Sequence, residues 1–246
     1  GMGAYTVAVL SQKAGMPILL ALAIAPATTA VLALGIGYFS VRRLGIYFAM
    51  LTFAFQMLLW TVAMKWTDVT GGDDGISGLK APGILADPTA YYYFTLVIVA
   101  ASLYALHRLV RSPFGYTLRA LRTNARRVTY VGVDVRRHQL ATFVITGVFA
   151  GIAGALFAIS SANVFPDWLN WTRSATPVVM AVLGGIHTFF GPVIGACVYV
   201  LLEVYISGKT EYWPLFMGIV ILVLVLAMPE GLSGFRWMRR MSEDER

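Results

Sequence analysis

Residues 17–39 pass without one charged side chain. Coiled as a helix at 1.5 Å per residue, that stretch crosses the roughly 30 Å of hydrocarbon in a bilayer. Similar runs follow at 44–64, 91–110 and 139–162. A shorter apolar pair at 177–206 is broken at Gly191-Pro192, and a last short run covers 212–228. Each half of the broken pair is short for a full crossing and suits a re-entrant pair or two discontinuous helices buried by neighbours. Apolar residues make up 58% of the 246-residue chain and charged residues 13%, against about 25% charged in an ordinary globular domain. Lipid is therefore the solvent for most of this surface. Runs of this length satisfy their backbone in lipid as helices, so the expected fold is all-α: a polytopic integral membrane protein of about six to seven transmembrane or re-entrant segments. Pro17 suits a helix start, and Pro26 is expected to kink the middle of its span. Residues 1–10 are apolar but too short to cross and carry no basic leader, so they read as the tail of a helix rather than a signal peptide. Cys197, the single cysteine, excludes an internal disulfide and a four-cysteine zinc site, and in its apolar run it reads as a small buried hydrophobe.

The net charge of +7 points to nucleic acid, to anionic lipid or to topology, and position decides among them. Residues 111–138 are rich in arginine with Asp134 as their one acid. If this loop and the C-terminal tail are cytoplasmic, all of the 19 lysines and arginines except Lys13, Lys65, Lys80, Arg173 and Lys209 fall inside. That is the positive-inside pattern, and it makes nucleic acid unnecessary as a partner. The tryptophans at 60, 66, 168, 171, 213 and 237 lie near segment ends, where interfacial aromatics belong. No low-complexity tract or fixed-period repeat is present.

Three constellations carry possible chemistry. In the loop, Pro113 and Gly115 make a turn and a helix is expected from Tyr116. Leu118, Leu121, Ala125 and Val128 then share one face, with Arg119, Arg122 and Arg126 beside it. Such a helix either docks in a groove of a partner or lies on the membrane with its arginines on anionic lipid. Gly184-Gly185, Gly191-Pro192 and Gly195 let backbones approach, and Gly191/Gly195 and Gly147/Gly151 each form a small-xxx-small pair. Helix packing explains them; a translocation path at a broken helix is the functional alternative, with His187 the histidine placed at depth. Glu203 is similar, or lies at the outer interface. Gly71, Gly72, Asp73 and Asp74 read first as a turn, then as an external docking loop, and last as a metal site, because calcium-loop spacing is absent.

These segments, taken in order, resemble one family. GMGAYT, LGIYFAMLTFAFQ, TGGDDGI, the loop SPFGYTLRALRTNARRVTYVGVDVRRHQL, GGIHTFFGPVIGA and MPEGLSG together resemble the LivM-type branched-chain amino acid permeases, the membrane subunits of bacterial ABC importers. The resemblance covers the chain from end to end. It implies one transmembrane permease domain over 1–246, preceded in the family by further N-terminal helices, with 111–138 as the cytoplasmic coupling loop. It assigns ATPase coupling to Pro113, Phe114, Gly115, Leu118, Arg119, Leu121, Arg122 and Asn124. It implies two partner ATPases that bind ATP and Mg, a homologous second permease and a periplasmic substrate-binding protein, in a bacterial plasma (inner) membrane with the C-terminus cytoplasmic. This chain departs from the family where acids usually follow the Arg-Ala-Leu-Arg-like core: it has Thr123, Asn124, Ala125, Arg126 and Arg127. His187 stands where a Gly is common.

The expected cargo is branched-chain amino acids; urea, amides or aromatic acids are the alternatives within transport. The sequence has no HExxH, GxSxG or GxxxxGK[ST] motif, and no catalytic residue or cofactor of its own is assigned. A membrane enzyme would have to be built from His187, Cys197 and Glu203. A structural adaptor would use the basic loop for lipid alone.

Overall fold

The computed structural model describes residues 1–43, 45–79, 83–186, 188–209, 212–227 and 231. The chain divides into two compact units, Gly1–Trp171 and Thr172–Arg246. His187 and the basic tail from residue 232 lie outside the described residues.

The first unit holds α1 (Met2–Gln12), α2 (Ile18–Ser40), α3 (Ile46–Lys65), α4 (Thr67–Thr70), α5 (Pro88–Val110), α6 (Pro113–Tyr130) and α7 (Val135–Ser161). Of these, α2, α3, α5 and α7 are long and apolar enough to cross a membrane. The all-α, multi-pass expectation holds. Its core is the crossing of α1, α2 and α7. The buried residues of α2 are Ile18, Ala21, Ala25, Thr29, Ala33, Gly37 and Ser40, spaced three or four apart and therefore on one face. Nearly all are small, so the α7 backbone comes close. A Cβ on Gly151 would strike the Thr29 side chain, and one on Gly147 would lie 2.8 Å from Ala33 Cβ. One on Gly37 would lie 2.8 Å from Leu140 and 2.9 Å from Phe143. On the other side of α7, a Cβ on Gly3 would strike the Gly151 carbonyl. Where helices meet in lipid no water is expelled, so this closeness is what gains dispersion energy. Thr6 and Thr28 join α1 to α2 through their hydroxyls at 2.8 Å. The helix α2 runs through Pro26 without interruption, and Thr29 Oγ1 donates to the Ala25 and Pro26 carbonyls at 2.9 and 3.0 Å. That uses up the hydroxyl proton in a setting without water.

Two further helices lie against this crossing with little burial. Within α3 only Ala63 is buried, and within α5 no residue is. Tyr91 of α5 donates its hydroxyl to the Leu156 carbonyl of α7 at 2.6 Å, and Gln56 of α3 donates to the Leu169 carbonyl at 3.3 Å. The connections at this end are tied by a short antiparallel pair, β1 (Ile76–Ser77) and β2 (Asn163–Val164). The Gly78 and Leu79 amides extend it onto the Ala162 carbonyl. Ile76, Leu79 and Val164 are buried with Tyr5, Ala63 and Ala158.

In the second unit, α8 (Trp171–Gly184), α9 (Gly191–Ser207) and α10 (Trp213–Ala227) follow in order. Three expectations are corrected here. The helix α8 ends at Gly184, and Gly191-Pro192 opens α9 instead of interrupting a helix: Pro192 sits in the first turn, where the missing N–H would have had no partner anyway. Second, α8 begins at Trp171 and runs through Pro177, so polar residues before the apolar run are also helical. A third correction concerns Cys197, which is exposed on α9 rather than buried, because Gly191 and Gly195 occupy the packed face.

Gly151→Ala is expected to cost about 1–3 kcal/mol through overpacking against Thr29, seen as a lower Tm in detergent. Gly35→Ala, at a helical glycine with nothing within 4 Å, leaves Tm unchanged or raises it, since alanine is the better helix former.

Candidate functional site

The loop between α5 and α7 is a helix that starts earlier than the sequence suggests. It begins at Pro113, not Tyr116. Ser112 is its cap: Oγ accepts from the Gly115 amide at 3.4 Å and donates to the Leu109 carbonyl at 2.6 Å. Proline in the first turn loses nothing there. Gly115 is buried, and a Cβ on it would run into the carbonyls of Val110 and Leu109. Glycine therefore seats the start of α6 against the end of α5. On the other side, the Phe114 ring stacks on His138 of α7, with centroids 5.5 Å apart and planes 18° from parallel. His138 is itself held by Nδ1 at 3.1 Å from the Asp134 carbonyl. The three residues Pro113, Phe114 and Gly115 thus fix the angle at which the helix leaves α5.

The single apolar face expected over Leu118, Leu121, Ala125 and Val128 is corrected. Asn124 has φ −157° and ψ 96°, which divides α6 into two segments. Its side chain accepts from the Arg127 amide at 3.1 Å, so Asn124 acts as the N-cap of the second segment. Periodicity alone counts through such a residue because the spacing of apolar positions carries no information on backbone angles. Leu118 and Leu121 are half-buried, while Arg119, Arg122, Arg126 and Arg127 are exposed. The Arg119 guanidinium lies 5.6 Å from the Tyr116 ring. Gly132, with φ 86°, then turns the chain into α7, whose N-cap Asp134 accepts from the Arg137 amide at 3.2 Å. Its carboxylate also meets Arg137 Nε at 3.0 Å, an exposed pair of small energetic weight. The loop therefore presents a strongly cationic, acid-poor surface on a firmly mounted base.

The other two candidate sets are separate from this one. Gly71, Gly72, Asp73 and Asp74 stand at the opposite end of α5, which is roughly 34 Å long at 1.5 Å per residue. They form a tight turn. Gly71 and Gly75 have φ of 79° and 66°, and a Cβ on either would strike the carbonyl of Gly75 or Val164 respectively. Thr70 Oγ1 reaches the Ala63 and Trp66 carbonyls at 2.5 and 2.8 Å. Asp73 and Asp74 are exposed, and no group of three metal-ligating residues occurs among the described residues. In the second unit Gly184, Gly185, Gly191 and Gly195 do come together. A Cβ on Gly184 would strike the Gly191 carbonyl, and one on Gly195 the Met180 carbonyl. This is the helix-packing arrangement, with Pro192 exposed beside it.

Sequence reasoning missed two parts of the loop: the Ser112 cap and the Asn124 joint. Both were signalled by residue type, since Ser before Pro and Asn before a cationic run are favoured caps. Asn124→Ala is expected to remove about 1 kcal/mol from the second segment. Amide exchange over 125–130 then rises about fivefold, with 113–123 unchanged.

Comparison with known proteins places this geometry in a family. The family described as branched-chain amino acid transport system / permease component matches residues 1–226. The high-affinity branched-chain amino acid transport permease LivM of Escherichia coli is 29% identical over 94% of this chain and 61% of its own length. Its Salmonella typhimurium counterpart is 28% identical over the same shares. The guanosine ABC transporter permease NupP of Bacillus subtilis is 31% identical over 53% of this chain and 38% of its own. The chain thus spans about three-fifths of the length of the LivM relatives. No solved structure matches it. With the family match running through every spanning helix and both ends of the arginine-bearing loop, the chain belongs to the permease components of the branched-chain amino acid transport family.

Proposed function

We propose that this chain forms most of a permease subunit of a bacterial ABC importer for branched-chain amino acids, working by alternating access. The observation that carries the proposal is the mounting of α6. A capped helix is wedged between the end of α5 and the start of α7 by Gly115 and Phe114, and it presents Arg119 and Arg122 outward. A partner that pulls on those arginines draws on two long helices together, because the base of α6 packs against both.

In this reading a homologous second permease completes the path, and two ATPases grip the loops with acidic grooves that complement the arginines. ATP and Mg are bound by those ATPases. A periplasmic binding protein delivers the cargo, with Gly71–Asp74 as one landing point on that face. The loop and the C-terminus are cytoplasmic in a bacterial inner membrane, as the charge bias favours. Gly184, Gly185, Gly191 and Gly195 serve close helix packing next to the path. The names of the LivM relatives favour branched-chain amino acids; the NupP match favours a nucleoside as the second reading.

The test is reconstitution of the full-length subunit in vesicles with its partners. Arg119→Glu is expected to lower ligand-stimulated ATPase about tenfold or more, as loss of a central arginine contact does, while membrane insertion stays normal. Unchanged stimulation in that variant sinks the assignment of the handle. Competition with leucine and with guanosine distinguishes the two cargo readings.

A further inference from the structure

A cavity of about 420 Å³ opens between the turn after α2, the first turn of α3, the face of α7 and Leu118 of α6. Nothing in the transport reading uses it. Its walls are graded. On α7 the lining residues Gln139, Thr142, Phe143 and Thr146 recur at i, i+3, i+4 and i+7, so they form one stripe. The hydroxyl of Thr142 donates to the His138 carbonyl at 2.8 Å, and that of Thr146 to the Thr142 carbonyl at 3.0 Å. Their protons are spent inside the helix, leaving no donor for a ligand. Opposite them, Phe48 meets Phe143 edge to face at 6.1 Å, and this part of the wall is greasy.

The other end is cationic. The antiparallel register of α2 and α7 is fixed by Thr29 beside Gly151, Ala33 beside Gly147 and Gly37 beside Phe143. Continued past Ser40, it brings Val41 to the level of Gln139, with Arg43 just beyond it. All three line the cavity. Arg43 is exposed, and among the described residues it has no ion pair and no acid lines the cavity. A guanidinium and a carboxamide at one end, with two phenyl rings about one turn and a threonine about two turns further along, match the order of groups in a lipid: phosphate, then acyl chain. The volume lies within the roughly 300–1,000 Å³ typical of ligand sites. Since the cavity sits at the ends of the membrane-spanning helices α2, α3 and α7, phospholipid is the amphiphile at hand, and the Arg43 cation selects an anionic one.

We infer that this cavity is a binding site for one anionic phospholipid, its phosphate held by Arg43 and Gln139 and its chain lying against Phe48 and Phe143. The lipid touches Leu118 from below and so props the base of α6. The site goes beyond the transport reading and stands or falls without any ATPase or cargo.

The experiment uses the full-length protein in mild detergent, titrated with phosphatidylglycerol and, separately, with phosphatidylcholine of the same acyl chains, and read by native mass spectrometry. Phosphatidylglycerol is expected to bind about tenfold more tightly. Arg43→Gln erases that preference, whereas Arg173→Gln, in the second unit, keeps it. Thr146→Phe, which fills the deep end and leaves the charge in place, brings phosphatidylglycerol down to the phosphatidylcholine level. Equal binding of the two lipids by the unaltered protein overturns the site, and this arm needs no variant to fold. A preference that survives Arg43→Gln overturns it as well. So does displacement of phosphatidylglycerol by equimolar inorganic phosphate, which would make the free anion the ligand.

Discussion

The structure depends on how closely three helices approach one another around Gly151. Its α-carbon hydrogens stand where any side chain would push α2 away through Thr29, and its carbonyl stands where any side chain on Gly3 would push α1 away. In water a bundle is held by the expulsion of solvent from large apolar side chains. In lipid that force is missing, and what remains is dispersion between surfaces in contact together with a few hydroxyl bonds. Small residues serve the first, and the threonines at 6, 28 and 29 serve the second. Because α7 is set against α2 in a single register, its start is fixed too, and the stack of His138 on Phe114 takes its position from there. The placement of the arginine-bearing helix is therefore a distant result of glycine packing in the middle of the bilayer.

The spans were legible because lipid imposes a crude rule that composition obeys. The run 17–39 became α2 at Ile18–Ser40, and 44–64 became α3 at Ile46–Lys65. Where boundaries moved, polar residues were helical without being in lipid. The helix α7 starts at Val135 rather than 139, because Asp134 caps a first turn in which Arg136 and Arg137 are exposed. Hydropathy registers such a turn as loop. The same blindness hid the first residues of α8. Helix orientation was harder still: an apolar helix has no polar side to point away from the core. The signal that does exist is size. Ala21, Ala25, Thr29, Ala33 and Gly37 recur every fourth residue along α2, and that stripe, invisible on a hydrophobicity scale, is the packed face.

Of the candidate site, the residues Pro113 to Leu121 were legible as a turn and an amphipathic helix with cations alongside. The joint at Asn124 was signalled by its residue type but lost to the periodic count, which carries no information on φ and ψ. The Gly71–Asp74 turn was read correctly from its residue types, yet its depth of integration was not, because the carbonyl that Gly75 accommodates belongs to Val164, far away in sequence. The exposure of Cys197 shows the converse error: an apolar neighbourhood in sequence does not imply a buried one when lipid, not protein, is the surround.

The small sheet at the other end carries its own implication. β1 trails α3 and β2 trails α7, and their backbone bonds, extended by Gly78 and Leu79 onto Ala162, stitch the exits of those two spans together. Helices pinned in this way cannot splay at that end. A displacement of either span is therefore shared by the other, as with two rods welded at their tips.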